Sequence, residues 1–357
     1  MKRTFSRFDI ELLADFVVCR SRVDPTESDS KNLRAGWRAD QLLQDLDAFV
    51  VGQENDPAAY AEIVELALAQ YRASGGESSE IIALLRLAIF RGERLLPVSS
   101  KRKSKLSAVI AELEANISSL PAGSRKERCR SLFAYHQGVF YDAYEMFAEG
   151  AKLQGQSAEI AQVNGDKPGE SIGYFLERVY LLKQAMVDGD QAAMGTAFTA
   201  LEQRFNPLVE AVRGTPLEVS WGQGNVSIHM IEALVWLNRW NHPALDVWVA
   251  MALAASEKLG QAWQPGARFV RAAYLDSDDN QEAEAALTGV ANDTEQTNEL
   301  RATALLILAR RSLAGGCQSG IQSGMMPLPQ KTAAELIAQM PETGAQHVRA
   351  IAARLLA

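Results

Sequence analysis

Cysteine is scarce. The 357 residues hold three, Cys19, Cys129 and Cys317, more than a hundred positions apart. An odd, scattered set is no disulfide framework, and without a CxxC pair nothing seeds a zinc site. A reducing compartment fits that usage. The four histidines, His136, His229, His242 and His347, stand singly. No HExxH and no i, i+4 histidine pair is present to grip a metal. Walker and GxSxG patterns are missing, and Gly222-Gln223-Gly224 lacks the third glycine of a dinucleotide fingerprint. Cys129 and His136 lie seven residues apart on one expected helix; that is about 10.5 Å of rise, too far for a nucleophile and its base. The sequence thus predicts no catalytic residues, no metal site and no cofactor.

Long apolar runs are also missing. The longest nearly uncharged stretch, Val247 to Ala255, is about half of the roughly 18 residues a spanning helix needs. The first residues are basic, but Asp9, Glu11 and Asp15 interrupt what would be the apolar region of a signal peptide. The expectation is a cytoplasmic chain without membrane contact.

What is present is ordinary in amount and informative in spacing. Hydrophobic residues make up 47% and charged residues 22%, enough apolar mass for a large core. Tyr60, Ile63, Val64, Ala67, Leu68 and Tyr71 follow the i, i+3, i+4, i+7 rule of one helix face. Leu42, Leu43, Leu46, Phe49 and Val50 do the same, as do Leu106, Val109, Ile110, Leu113, Ile117 and Leu120. Asp56-Pro57 is a helix start, Gly75-Gly76 a stop. Breaks are expected near 23–35, 97–105, 119–125, 155–171, 213–227 and 314–330, and only Leu217 to Trp221 alternates like a strand. The fold class expected is all-α.

Small residues followed by aromatics recur in the second half. Gly138, Phe140, Ala143, Phe147 and Gly150 form one window, Ala244 with Trp248 a second, Tyr274 with Ala283 and Leu287 a third, Met194 with Phe198 after Gly189-Asp190 a fourth. These windows resemble tetratricopeptide-like repeats over roughly residues 126–300. The anchors at 143, 194, 244 and 283 are spaced 51, 50 and 39 apart, against about 34 in the family, so the repeats would be degenerate. The resemblance implies an α-solenoid of antiparallel helix pairs whose groove binds a peptide or partner protein; the alternative is an irregular multi-helix bundle. The corresponding organisation is an N-terminal helical region (1–125), repeats (126–313), a Gly- and Pro-rich linker (314–330) and C-terminal helices (331–357).

Charge is unevenly spread. Residues 91–130 carry ten Lys/Arg and four Glu, net +6, inside a chain of net −8, so the remainder is −14. Lys101, Arg102, Lys103 and Lys105 open one helix, Arg125, Lys126, Arg128 and Arg130 the next. The patch would meet a nucleic acid or an acidic surface, or else be a solvated helix face. If the two helices are antiparallel neighbours, their starts lie at opposite ends and make two patches. Residues 276–299 are the acidic counterpart, but Leu287 replaces the calcium-loop glutamate. Trp236, Trp240 and Trp248 fall within thirteen residues. Trp236 and Trp240 with Arg239, and with Gln223, Asn225 and His229 just before, form the candidate partner-binding set; the same tryptophans are also what a helix-to-helix core uses. His242 before Pro243 reads as a helix cap. The function expected is a non-enzymatic adaptor or regulatory subunit that binds a protein or peptide, the alternative a nucleic-acid-binding accessory protein using segment 91–130.

Overall fold

The computed structural model describes scattered positions between 64 and 90, and residues 100–260, 263–277, 282–294, 296–314 and 332–357. Every regular element among them is helical. The chain forms two compact units, Met1–Phe140 with Gln156–Asp166, and Tyr141–Gly155 with Lys167–Ala357. The division thus falls after Phe140, where the sequence placed a boundary at 125.

In the first unit, α1 (Ser100–Ser119) begins inside the expected break at 97–105, so 100–105 are helical. The apolar stripe Leu106, Ile110, Leu113, Ile117 and Leu120 is buried as its spacing requires. Val64 and Leu68 are buried while the residue after each, Glu65 and Ala69, is exposed, the same rule on an earlier helix. Phe90 meets Phe133 and Phe140 of α2 (Ser124–Ala143) at 6.2 and 5.9 Å. Ser131 on α2 and Ser157 on α3 (Phe147–Val163) exchange side-chain-to-carbonyl bonds of 3.0 and 2.8 Å, so small residues mark a close helix crossing. The stripe at 42–50 and the linker at 314–330 fall outside the described residues, apart from Ala314, which ends a helix.

The second unit begins with a turn. Ala143 closes α2, Phe147 opens α3, and Glu145 between them has φ +62°. The Ala143-to-Phe147 step of the first window therefore spans a turn and does not lie on one helix. Likewise Ala244 is the residue just before α7 (Leu245–Leu259). Met194 and Phe198, by contrast, are both buried on α5 (Gln191–Val212), which pairs with α4 (Lys167–Asp188) across Gly189 and the capping Asp190. The strand-like Leu217–Trp221 opens a π-helical turn, Glu218–Asn225, in which Gly222 N bonds Leu217 O at 3.3 Å. Its wider coil lets two glycines press on neighbours: a Cβ on Gly222 would come 2.7 Å from Val212, and one on Gly224 2.5 Å from the Trp263 ring.

Two helices are buried nearly all round. In α6 (Val226–Leu237) every residue from Met230 to Trp236 is buried, and in α10 (Asn298–Leu313) every residue from Ala302 to Ala309. Such helices lie at the centre of their unit. Around them, α7, α8 (Gln264–Ser277), α9 (Ala283–Asn292) and α10 pack in sequence order. The C-terminal pair, α11 (Ala333–Ala338) and α12 (Gln346–Leu356), packs on α10, and α12 also returns to α4.

Candidate functional site

Helix α7 is apolar on two faces. Trp248, Val249, Ala252 and Ala255 are buried, as a core-facing stripe must be. The opposite residues, Val247, Ala250 and Ala254, are exposed, with Met251 half-buried between them; Val247 is 55% exposed. Their spacing puts them on one stripe. A helix apolar all round is ordinarily buried all round. Ala250, Met251 and Ala254 of this stripe line a groove of about 440 Å³ where α7 meets α5 and the π-helical turn, with Val209 and Gly222 on its other side.

Polar groups edge this groove. Arg213 is paired with Glu210 at 2.7 Å, and Glu218 accepts a bond from Gly214 N at 2.9 Å. Lys258, at the end of the stripe, donates to the amide oxygen of Gln223 at 3.2 Å. It thus presents a cation held by a neutral group. Gln223 is the member of the expected partner-binding set that reaches this groove.

The other members go elsewhere. Trp236 is 2% exposed and belongs to the core, which corrects its placement on a binding surface. Its indole Nε1 donates to Thr303 Oγ1 at 3.1 Å. Arg239 is exposed, its guanidinium 5.0 Å above the Phe198 ring, and it shares a loop pocket with half-buried Trp240. His229 Nδ1 is bonded to Glu232 at 3.0 Å, and Asn225 ends the π-helical turn without a capping bond. The six residues do not converge. His242, expected as the cap of α7, is not: the N-cap is Ala244, with no side-chain capping bond, and His242 Nδ1 accepts from Ala244 N at 3.2 Å in the turn before the helix, while Nε2 meets Glu202 at 2.7 Å and the ring stacks on Trp248.

Among the basic residues whose side chains are described, Lys103 and Lys126 do not share a patch. Lys126 donates to Ser118 O and Leu120 O, at 2.6 and 3.1 Å, so the start of α2 sits at the end of α1. Lys103 stands some sixteen residues earlier on α1, about 24 Å along the axis. Arg130 pairs with Glu127 at 2.8 Å, and Lys103 and Arg128 are exposed. The side chains of Lys101, Arg102, Lys105 and Arg125 lie outside those described. Among the described residues no cluster of His, Cys, Asp and Glu is arranged to hold a metal ion. No helix among them is long and apolar enough to cross a membrane.

A group the spacing argument did not single out lies at the centre of the second unit. Lys183 of α4, 2% exposed, donates to Asp142 at 2.9 Å and stands 2.8 Å from Glu299 at the start of α10. The rings of Phe147, Tyr180 and Trp236 surround its ammonium at 5.7 to 5.9 Å. His347 of α12, 1% exposed, brings Nε2 to 2.9 Å from the same Glu299 oxygen. That approach is off the hydrogen-bond axis, and neither ring nitrogen of His347 has a hydrogen-bond partner. Glu232 of α6 completes the set from the side of His229. Neither of the two pockets described above is lined by any of these residues.

A signal for this cluster was present. Lys183 falls on the apolar stripe of α4 that includes Ile172, Leu176, Val179 and Met186, and Glu232 stands inside the run Met230 to Trp236. A charge on a buried stripe must find a partner. Burial works to lower the Lys183 pKa, but Asp142, Glu299 and Glu232 outweigh it and hold the ammonium above its ordinary value. Burial works to raise Glu299, yet Lys183 and His347 hold it below the usual carboxylate range. Asp142 and Glu232 are raised, by burial first, against the pull of Lys183 on the former and His229 on the latter.

Opposite signs follow for stability. A carboxyl raised in the fold contributes stability below its unfolded pKa, which is lost as pH climbs through the folded value; a lowered one contributes above its unfolded pKa, lost on acidification. We expect Glu232→Gln to melt above wild type at alkaline pH and to converge with it in acid. Glu299→Gln should melt below wild type at neutral pH, by an amount corresponding to about 3 kcal/mol, and likewise converge in acid. Thermal unfolding of both variants between about pH 2 and about pH 9 checks this; shifts of the same sign would contradict the assignment.

No protein-family model, no curated protein and no solved structure matches the chain. The site's chemistry alone therefore carries the functional reading.

Proposed function

We propose that the protein is a non-enzymatic helical binding protein, an adaptor or regulatory subunit, that docks a partner peptide or protein on the outer face of α7. The observation that supports this reading is the exposed apolar stripe Val247, Ala250, Met251 and Ala254 beside a groove of about 440 Å³. Contiguous exposed apolar surface edged by polar groups is the mark of an interaction site. Lys258 at its end favours a partner helix that is apolar on one face with an acidic residue beside it. Among the described residues, the titratable cluster around Lys183 joins helices, which fits binding better than chemistry. Within this reading the architecture is the irregular multi-helix bundle: all-round burial of α6 and α10, and the return of α12 to α4, do not suit a solenoid whose repeats touch only their neighbours.

Selection from a displayed library of random helical peptides against the full chain tests the proposal. Enriched peptides should be amphipathic and acidic. Binding should fall at least about tenfold with Ala254→Glu, since a buried unpaired charge costs more than 1.4 kcal/mol, with the melting temperature unchanged. Lys258→Glu should shift selection toward basic peptides. Enrichment of peptides whose binding ignores both substitutions would sink the reading.

A further inference from the structure

Helix α12 is held by polar clasps more than by apolar area. Of its eleven residues only His347, Val348 and Ala352 are buried, and Leu356 is 47% exposed. In α10, by contrast, Leu300 and every residue from Ala302 to Ala309 are buried. Apolar burial drives docking roughly in proportion to area, so α12 is far the more weakly packed.

Its attachments are concentrated at three points. At its start, Glu145 Oε1 accepts from Ala345 N and Gln346 N at 2.8 and 2.7 Å, and Arg349 approaches the same oxygen at 3.4 Å. The left-handed backbone of Glu145, φ +62°, aims the carboxylate there. Such strain in a non-glycine residue persists only where its surroundings hold it. Near its end, Arg354 donates to Met186 O and Val187 O, at 2.6 and 2.9 Å, closing the C-terminus of α4. In the middle, His347 fills a recess: the Trp236 ring is edge-on at 4.7 Å, Phe147 at 5.3 Å, and Glu299 lies 2.9 Å away.

We propose that α12 is a strap that lifts as a unit from α4 and α10, and that His347 is the resident occupant of an aromatic and carboxylate recess suited to a flat cation such as imidazolium. Three carboxylates, Asp142, Glu232 and Glu299, share that interior with Lys183 alone among lysines and arginines within the cluster, and His229 and His347 flank it. Glu299 Oε1, 2.9 Å from the ring and without a hydrogen-bond partner, favours a cation in the recess. Edge-on rings on two sides restrict it to a planar one. Lifting the strap uncovers the recess and the side of α10 beneath it, and leaves the packing of α10 on α6, α8 and α9 in place.

Hydrogen exchange on the full chain tests the strap, and imidazole as probe tests the recess. Amides of α12 in wild type should exchange through an opening that leaves α4 and α10 protected. Arg354→Ala with Glu145→Gln should speed α12 exchange by at least about tenfold, the loss of one hydrogen bond to a charged group, with α10 unaffected. Exchange of α12 only in step with α4 and α10 in wild type would overturn the strap, whether or not the double variant folds. For the recess, His347→Gly should gain melting temperature with added imidazole, saturably, while wild type does not. No gain, or an equal gain with neutral pyrazole, would overturn the cation assignment.

Discussion

Lys183→Met is expected to cost about 3–5 kcal/mol, the cost of leaving a buried partner charge uncompensated. Methionine keeps the length and apolar stem of the side chain, so little of the loss is packing. What goes is the ammonium that stands 2.9 Å from Asp142 and 2.8 Å from Glu299. Both carboxylates then face each other and Glu232 across an interior walled by Phe147, Tyr180 and Trp236. For a unit of this size, thermal unfolding should shift downward by roughly 6 to 20 °C. Adding Asp142→Asn and Glu299→Gln to Lys183→Met should recover more than half of the loss, because the penalty lies in unpaired charge and not in the absence of an ion pair. A triple variant no more stable than the single would show that the lysine acts by packing. The ion group joins α2, α4 and α10, with His347 of α12 at its edge. Mispairing these helices would bury unpaired charge. The network thereby fixes which helices meet more than it adds net stability.

The all-α character was legible because helical spacing is local. The stripe from Leu106 to Leu120 needed nothing beyond the 3.6-residue period, and it is buried apart from half-buried Val109. The π-helical turn was not legible. Leu217 to Trp221 alternates like a strand, but two glycines pressed against Val212 and Trp263 decide its coil, and those neighbours are tertiary. The apolar run Val247–Ala255 was visible as a run. Which half of it faces outward depends on where α5 and the π-helical turn lie. Lys183 and Glu232 illustrate the converse. Each interrupts an apolar stripe, a signal available in the sequence, but their partners Asp142, Glu299 and His229 are named only by the fold. The basic segment divides for a simple geometric reason: two successive helices joined by a short turn put their N-termini at opposite ends.

The tryptophans give the second large effect, because neighbours four residues apart have opposite fates. Trp236→Ala is expected to cost about 3–5 kcal/mol, the cost of emptying an aromatic site in a core. Its indole is 2% exposed, donates to Thr303, lies 4.7 Å from His347 and forms one wall around Lys183. Removing it also frees Thr303 Oγ1, which itself donates to Glu299 O at 2.8 Å, and opens a path for water to the ion group. The backbone at this point is held independently, since Arg310 donates to Val235 O and Trp236 O. Burial lowers the Arg310 pKa to about 10, partly offset by Asp276. The helix end should therefore survive and the loss be one of packing and hydration. Trp240→Ala should cost under about 1 kcal/mol, as for a partly exposed loop residue. Denaturant unfolding of the two variants side by side separates the assignments. Equal losses would place Trp240 in the core with Trp236, and a small loss at Trp236 would contradict its role as a wall around the ion group.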